Sequence, residues 1–435
     1  MGGMNAFTSG ACDVADTAAY EVKAMVACGP NRSQAERLAL REVDIAAATV
    51  LKDVLVIRPQ LRDLWSIDHA CLGDRYRVHY AYPGLGPSQP FDAIGYLDEV
   101  ASLPADGIVA THDNAALLAA LAAQRRGLPG PKPEAVFACQ YKPASRARQR
   151  VAVPHAVPRY AILDPSAAFE PPFFVKPAIG TLSGGARRID DLCQLGIADG
   201  NGHASSYAPV AQLMGLSAVD ACGYLMEELM SGDEAMLEGY VRHGRLTTIG
   251  ITDSAKYAGT DSFERFEYPT RLSAERQAEL IDTAERIVAE LGFDDSLLNI
   301  EFFVPERGPV KIIEVNPRIA AQYAPLIKAL HGRSTYEVLF ALACGEDPRW
   351  RATRPDGAAI SYCLRAFGDA FVERVPEPQH GLEILVKPGL RLSEQHGQND
   401  PRSYRLALFY ETGETREEAL LRCRERARSL EFGLT

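Results

Sequence analysis

The sequence predicts a mixed fold in which an α/β domain with a parallel sheet precedes α+β segments. Short apolar runs alternate with helical patterns up to about residue 140, and this alternation is typical of βαβ units. Beyond that point several strands surround one strong amphipathic helix, and the chain closes with strands and a capped helix. With 435 residues the chain has room for about three domains or subdomains.

The N-terminal part supplies the parallel sheet. Residues 54–57, 76–80 and 107–110 are apolar runs typical of buried strands, and helical patterns lie at roughly 61–72, 91–103 and 114–126. The Gly- and Pro-rich stretch at 127–131 breaks the pattern. We therefore predict a flexible leader at 1–45 and an α/β domain at 46–140.

The middle and C-terminal parts have α+β character. Strands are predicted at 173–176, 224–227, 236–241 and 246–251, followed by an amphipathic helix at 273–291 that ends at Gly292. A later helix starts at Ser334 and ends at Gly345, and short strands then lead to a last helix capped by Thr415. We predict one domain at 141–345, with a subdomain at about 160–235, and a small α+β piece at 346–435.

Composition excludes several classes of protein. The net charge is -11 and no long basic block occurs, which argues against binding a nucleic-acid backbone. No apolar run is long enough to span a bilayer, and the N-terminus lacks the pattern of a secretory signal. The nine cysteines are scattered and contain no C-x-x-C pair, so we expect neither disulfides nor zinc, and a cytoplasmic location.

The strongest chemical signal is a predicted β-hairpin. Two apolar runs, 299–304 and 310–316, flank the turn-forming residues 305–309. Folding about this turn brings Glu301 opposite Glu314, roughly 5 Å apart. Two facing carboxylates repel each other unless a cation lies between them, and one or two Mg²⁺ ions would fit. A solvated edge hairpin is the simpler interpretation of the two glutamates alone.

Two other segments have weaker signals. A buried strand delivers Lys176 and runs into a loop that contains Ser183, Gly184 and Gly185. Glycine lets backbone N–H groups approach phosphates, and the lysine adds a compensating charge, although no Walker A pattern is present. Residues 226–234 form an acidic connector that can offer backbone groups to adenine and a carboxylate to ribose. A flexible turn and a solvated acidic turn are the common alternatives.

Together these segments resemble the ATP-grasp superfamily over about residues 50–345. The resemblance implies an N-terminal parallel α/β domain before an ATP-grasp domain of two α+β subdomains, which grip ATP between them. The C-terminal α+β piece fits one branch of the family.

The resemblance also implies roles for individual residues. Lys142 and Lys176 are similar to the lysines that contact the nucleotide phosphates, and residues 179–186 to the lid over them. Glu227, Glu228 and Met230 resemble the adenine hinge, and Glu234 the carboxylate that holds ribose. Glu301, Glu314 and Asn316 match the Mg²⁺ ligands, with Mn²⁺ as the alternative ion. Arg318 resembles the arginine that stabilises the transferring phosphoryl group.

Within the superfamily the chain most resembles carboxylate–amine ligases of the L-amino acid (dipeptide) ligase type. That resemblance implies small-molecule carboxylate and amine substrates, with a homodimer as the default assembly. A biotin carboxylase-like enzyme is the runner-up, but Gln322 and Tyr323 stand where that family has a Glu-His pair. Residues 319–321 lack the glycines that many amino acid ligases have there. A catalytically silent nucleotide-binding protein is the third alternative.

Overall fold

The fold was analysed in a computed structural model of the chain. It describes residues 51–82, 91–164, 166, 168–180, 184–196, 202–351, 355–395 and 403–435. Within these residues no helix has the length and apolar character needed to cross a bilayer. The predicted leader and Ser183 lie outside the described residues.

The N-terminal domain contains a parallel sheet, as predicted. Its three strands are β1 (Lys52–Ile57), β2 (Tyr76–Ala81) and β3 (Gly107–Val109), and β1 lies in the centre with parallel pairing on both sides. The helices that connect them are α1 (Leu61–Ala70), α2 (Ala93–Ala101) and α3 (Asp113–Arg125). Their apolar faces pack on the sheet because parallel strands are buried on both sides.

Two further helices follow that the hydrophobic pattern did not predict. They are α4 (Pro133–Gln140) and α5 (Lys142–Ala152). The buried face of α5 carries Lys142, Ser145, Arg146 and Gln149. Because this face is polar, a search for apolar residues at helical spacing misses it.

A small antiparallel sheet forms the first half of the next region. Its order is β4-β7-β5-β6, with β4 at Tyr160–Ile162, β5 at Phe173–Pro177, β6 at Arg187–Ile189 and β7 at Tyr224–Glu228. The chain between β6 and β7 contains α6 (Gly202–Gln212) and α7 (Ala218–Ala221). Short 3-10 turns lie at Pro154–Ala156 and Leu192–Gly196.

A large antiparallel sheet of eight strands follows. Its order is β12-β11-β8-β9-β10-β13-β16-β15. In chain order, the first five strands of this sheet are β8 (Asp233–Arg242), β9 (Arg245–Lys256), β10 (Phe263–Tyr268), β11 (Ser296–Val304) and β12 (Lys311–Asn316). The predicted amphipathic helix is α8 (Ala274–Leu291), which Ser273 caps and which ends at Gly292 with a left-handed φ of 62°.

The C-terminal residues continue this sheet. After α9 (Ala324–His331) and α10 (Thr335–Ala343) come β13 (Ala358–Phe367), β14 (Val372–Arg374), β15 (Leu382–Ile384), α11 (Leu392–Gln395), β16 (Ser403–Gly413), α12 (Arg416–Ser429) and β17 (Gly433–Leu434). Strands β13 and β16, of 10 and 11 residues, are longer than predicted because they pair with each other, while β13 also pairs with β10 and β16 with β15. The predicted domain boundaries stay predictions.

Candidate active site

The hairpin of β11 and β12 places the two predicted metal carboxylates opposite each other. Glu301 pairs with Glu314 in the strand register, and Asn299 pairs with Asn316. The Asn316 side-chain amide donates to Glu301 Oε1 at 3.0 Å. Two carboxylates and one amide therefore stand side by side on one face of the sheet edge.

The electrostatics of this trio favour a cation. Burial, and then the nearby charge of Glu314, raise the pKa of Glu301 to about 7. Among the described residues, no group of three or more His, Cys, Asp and Glu side chains forms a complete metal site. An oxygen-only set of two carboxylates and an amide suits Mg²⁺, which commonly takes its remaining ligands from phosphates and water. The donors present thus fit the cation that the sequence predicts.

Both predicted phosphate lysines lie at this hairpin. Lys142 Nζ is 2.9 Å from Glu314 Oε1 and 3.1 Å from the carbonyl oxygen of Gly180. Lys176 Nζ donates to the carbonyl oxygen of Ile313 at 3.3 Å. Burial is the main reason that the pKa of Lys176 is lowered to about 8.

A buried ion cluster anchors Lys176. Glu227 Oε2 is 2.8 Å from Lys176 Nζ, and Glu227 Oε1 is 2.6 Å from Arg146 Nε. Burial alone would raise the pKa of Glu227, but Arg146 and Lys176 together hold it at about 2. Arg146 also donates to the carbonyl oxygens of Ile312 and Ile313 at 2.8 and 2.9 Å. The Glu227 carboxylate is therefore committed to two cations.

The rest of the predicted nucleotide site is more open. Glu228 and Met230 are half-buried where β7 ends, and both remain candidates for the adenine hinge. Glu234, at the start of β8, has Lys256 Nζ 2.7 Å from its Oε1. Sequence reasoning did not identify Lys256, which lies at the end of β9 with no local motif around it. A ribose hydroxyl at Glu234 would share the carboxylate with this lysine.

The predicted lid is described only in part. Residues 181–183, including Ser183, lie outside the described residues. Gly184 and Gly185 follow them, and Gly185 has a left-handed φ of 72°. A Cβ atom there would lie 3.1 Å from Pro177 Cγ, so glycine suits this turn both in conformation and in space.

The N-terminal domain reaches the site through a carboxylate. Asp113, the first residue of α3, accepts hydrogen bonds from Arg318 Nε at 3.2 Å and Nη2 at 3.1 Å. Burial alone would lower the pKa of Arg318, but Asp113, together with Glu301 and Glu238, outweighs burial and the pKa is raised. The predicted phosphoryl arginine is thus charged and held in place across 205 residues of sequence.

One further carboxyl group near the site escaped the sequence reasoning. Glu238 lies on β8, is 1% exposed, and accepts hydrogen bonds from Asn299 Nδ2 at 3.2 Å and Ala320 N at 3.0 Å. Burial raises its pKa to about 8. Its place four residues after Glu234 on one strand face was the available signal.

Comparison with known proteins identifies the central region. The model of the ATP-grasp domain matches residues 169–325. The chain contains an ATP-grasp domain. This match covers both predicted metal carboxylates, Lys176, the acidic connector and Arg318.

Solved ATP-grasp enzymes share the fold over nearly the whole chain. The L-amino acid ligase from Bacillus licheniformis has a TM-score of 0.70 at 18% identity, covering 88% of this chain and 99% of that one. Phosphoribosylglycinamide synthetase from Anaerococcus prevotii has a TM-score of 0.61 at 13% identity, covering 89% and 100%. The biotin carboxylase domain of the Hydrogenobacter thermophilus 2-oxoglutarate carboxylase, solved with MgADP and bicarbonate, has a TM-score of 0.64 at 15% identity, covering 88% and 91%. At these identities the similarity establishes the fold.

A curated relative matches a shorter region. The Sinorhizobium fredii (strain NBRC 101917 / NGR234) protein named uncharacterized protein y4rH is 30% identical over 211 residues, which are 47% of this chain and 41% of that protein. The match thus spans less than half of the relative's length.

Proposed function

We propose that the protein is an ATP-dependent carboxylate–amine ligase. It joins an amino acid or another small acid to an amine through an acyl phosphate and releases ADP and phosphate. The observation that carries this proposal is the convergence on one hairpin of Glu301 and Glu314, face to face, with two lysines and Arg318 beside them. Phosphoryl transfer requires this combination of positioning and positive charge.

The reaction has two steps. A carboxylate oxygen of the first substrate attacks the γ-phosphorus of ATP, the bond to the bridging oxygen breaks, and ADP leaves. The amine nitrogen of the second substrate then attacks the acyl carbon, expels phosphate and loses a proton, which leaves an amide. When bound, Mg²⁺ neutralises phosphate charge. Lys142 and Lys176 would orient the phosphates, and Arg318 would stabilise the transferring phosphoryl group and the acyl phosphate.

The residues of the chain also divide these roles by position. Glu301, Glu314 and Asn316 would hold the cation on the sheet edge, with Lys142 on one of those same carboxylates. Lys176 on β5 and its partner Glu227 on β7 belong instead to the small antiparallel sheet. Closure of residues 179–186 over the phosphates would keep water from the acyl phosphate.

Amide ligation is favoured over carboxylation. The L-amino acid ligase has the highest of the three TM-scores, although the biotin carboxylase domain also shares the fold. Gln322 and Tyr323 stand where the carboxylase resemblance has a Glu-His pair, so the base expected for bicarbonate is missing. Both metal carboxylates are present, which argues against a silent nucleotide-binding protein.

The first test is a product analysis. Purified protein is incubated with Mg²⁺, ATP and pooled amino acids, and ADP, AMP, phosphate and new condensation masses are measured. ADP, phosphate and a condensation mass support amide ligation. AMP with pyrophosphate contradicts the acyl phosphate, and ADP formed only with bicarbonate indicates the carboxylase alternative.

A pair of hairpin variants sharpens this test. Glu314→Ala should reduce turnover by at least about 100-fold, because it removes a metal ligand and the partner of Lys142. Glu306→Ala, at an exposed position in the turn of the same hairpin, is the matched control and should retain activity. ATP binding that is unchanged in Glu314→Ala, with no turnover in the wild type, favours a silent nucleotide-binding protein or a carboxylate substrate outside the tested pool.

A further inference from the structure

A row of three polar side chains crosses the large sheet behind the predicted metal site. Asn316 on β12 lies opposite Asn299 on β11, and Asn299 lies opposite Glu238 on β8. All three are at most 5% exposed. Buried polar groups are costly unless each finds a partner, so such a row persists only if its donors and acceptors match.

The hydrogen bonds along this row run in one direction. Both Glu238 oxygens accept, one from Asn299 Nδ2 at 3.2 Å and the other from Ala320 N at 3.0 Å. Because Asn299 turns its NH₂ group to Glu238, its Oδ1 faces Asn316, whose Nδ2 lies 3.5 Å away. The same Nδ2 donates to Glu301 Oε1.

The orientation of Asn316 follows from this chain of contacts. An amide side chain has its oxygen and its NH₂ group on opposite sides of one carbon. With its NH₂ group committed to Asn299 and Glu301, Asn316 presents Oδ1 as the atom that can coordinate a cation. A flipped Asn316 would place donors toward the cation instead.

Glu238 also holds the segment that carries the phosphoryl arginine. Ala320, whose N–H donates to Glu238, is two residues after Arg318. The backbone N–H of Arg318 donates to the carbonyl oxygen of Asn316 at 2.9 Å. One buried carboxyl group thus contacts both the amide row and the loop that follows the metal strand.

We propose that Glu238 is a positioning residue that fixes, through Asn299, the orientation of the Asn316 amide toward the bound cation and, through Ala320, the loop that carries Arg318. The inference rests on the proposed cation site. It assigns no contact between Glu238 and substrate. Outer partners of metal ligands typically change metal affinity by about 10- to 100-fold when they are replaced.

The test measures Mn²⁺ binding to the full-length chain in the presence of ADP, by calorimetry or electron paramagnetic resonance. It is done at about pH 8.5, above the raised pKa of Glu238, so that this carboxyl group is ionised and both of its oxygens accept. Glu238→Gln keeps the shape but offers only one acceptor to two donors, so we expect the apparent Kd for Mn²⁺ to rise about tenfold. The double variant Glu238→Gln, Asn299→Asp restores every donor–acceptor pair, because the new carboxylate accepts from both neighbours. It should return the Kd to within about threefold of the wild type.

Glu267→Gln is the matched control for the loss of a buried carboxyl group. Glu267 is 2% exposed on β10, where it pairs with Arg265 and Arg416 away from the hairpin. Its replacement should lower the thermal midpoint and leave the Mn²⁺ affinity unchanged. A purely structural role for Glu238 would give that same result.

The outcomes separate this inference from the proposed function. Wild-type protein that binds no Mn²⁺ with ADP overturns both. With wild-type binding established, unchanged affinity in Glu238→Gln overturns the inference alone, and so does a double variant as impaired as the single one. If Glu238→Gln does not fold, the double variant decides: folded protein with wild-type affinity supports the inference, and folded protein with weak binding overturns it.

Discussion

Replacing Glu227 by glutamine should destabilise the protein far more than replacing the lysine beside it. Glu227 contacts two buried cations, Lys176 at 2.8 Å and Arg146 at 2.6 Å, and its side chain is 1% exposed. Glu227→Gln leaves both cations buried without that carboxylate. Loss of one partner of a buried ion pair costs about 3–5 kcal/mol. Lys176→Met leaves the Arg146–Glu227 pair intact and removes a buried charge, so its cost should stay within about 1 kcal/mol.

The measurement is the free energy of unfolding in urea for both single variants and for the double variant. Lys176→Met removes one of the two cations that Glu227→Gln leaves unpaired. The double variant should therefore lose less free energy of unfolding than the two single variants lose in sum. Nucleotide binding should show the opposite order, since Lys176→Met removes a proposed phosphate contact. A Lys176→Met variant that is as unstable as Glu227→Gln, or additive costs, would refute this account of the cluster.

Four further predictions concern the same site. Because the pKa of Lys176 is lowered to about 8, ADP affinity measured by calorimetry should fall by up to about tenfold from about pH 7.5 to about pH 9, and Lys176→Met should abolish this dependence. The pKa of Glu301 is raised to about 7, so Mn²⁺ affinity should fall about tenfold per pH unit below about pH 7. Mn²⁺ binding should also release protons, and pH-independent binding would contradict this prediction. Without metal, that shift should lower stability as pH rises from 4.5 to about 7, because the folded state then holds more protons. Lys256→Ala should change the KM for ATP, since it frees Glu234, while leaving the reaction products unchanged.

The hairpin could be predicted from sequence because its information is local. The turn at 305–309 fixes which residues face each other, and alternation along the strands then places Glu301 and Glu314 on one face. The parallel N-terminal sheet was predicted for the same reason, since each strand is a short apolar run between helices. The extension of the large sheet by β13 and β16 was not predicted, because nothing in the sequence of those segments shows which strand they pair with.

The missed residues share a different physical cause. Arg146 lies on a helix whose buried face is polar, so apolar periodicity does not indicate it. Asp113 meets Arg318 across 205 residues, and Lys256 on β9 meets Glu234 on the neighbouring strand β8, so neither pair is visible within one strand or helix. Glu238 has one local signal, its place four residues after Glu234, but its partners Asn299 and Ala320 are distant in sequence. Ionic contacts between distant segments become visible only when the tertiary structure is known.

Strand β12 explains why these distant groups meet in one place. It is an edge strand of the large sheet, and edge strands leave backbone groups without a strand partner. Arg146 and Lys176 donate to its carbonyl oxygens at Ile312 and Ile313. Lys142 binds the side chain of Glu314, one residue further along the strand. Lys142 and Lys176 also bring positive charge to the face where a nucleotide would lie. The contacts of these two lysines with β12 and the charges proposed for phosphate binding therefore come from the same side chains.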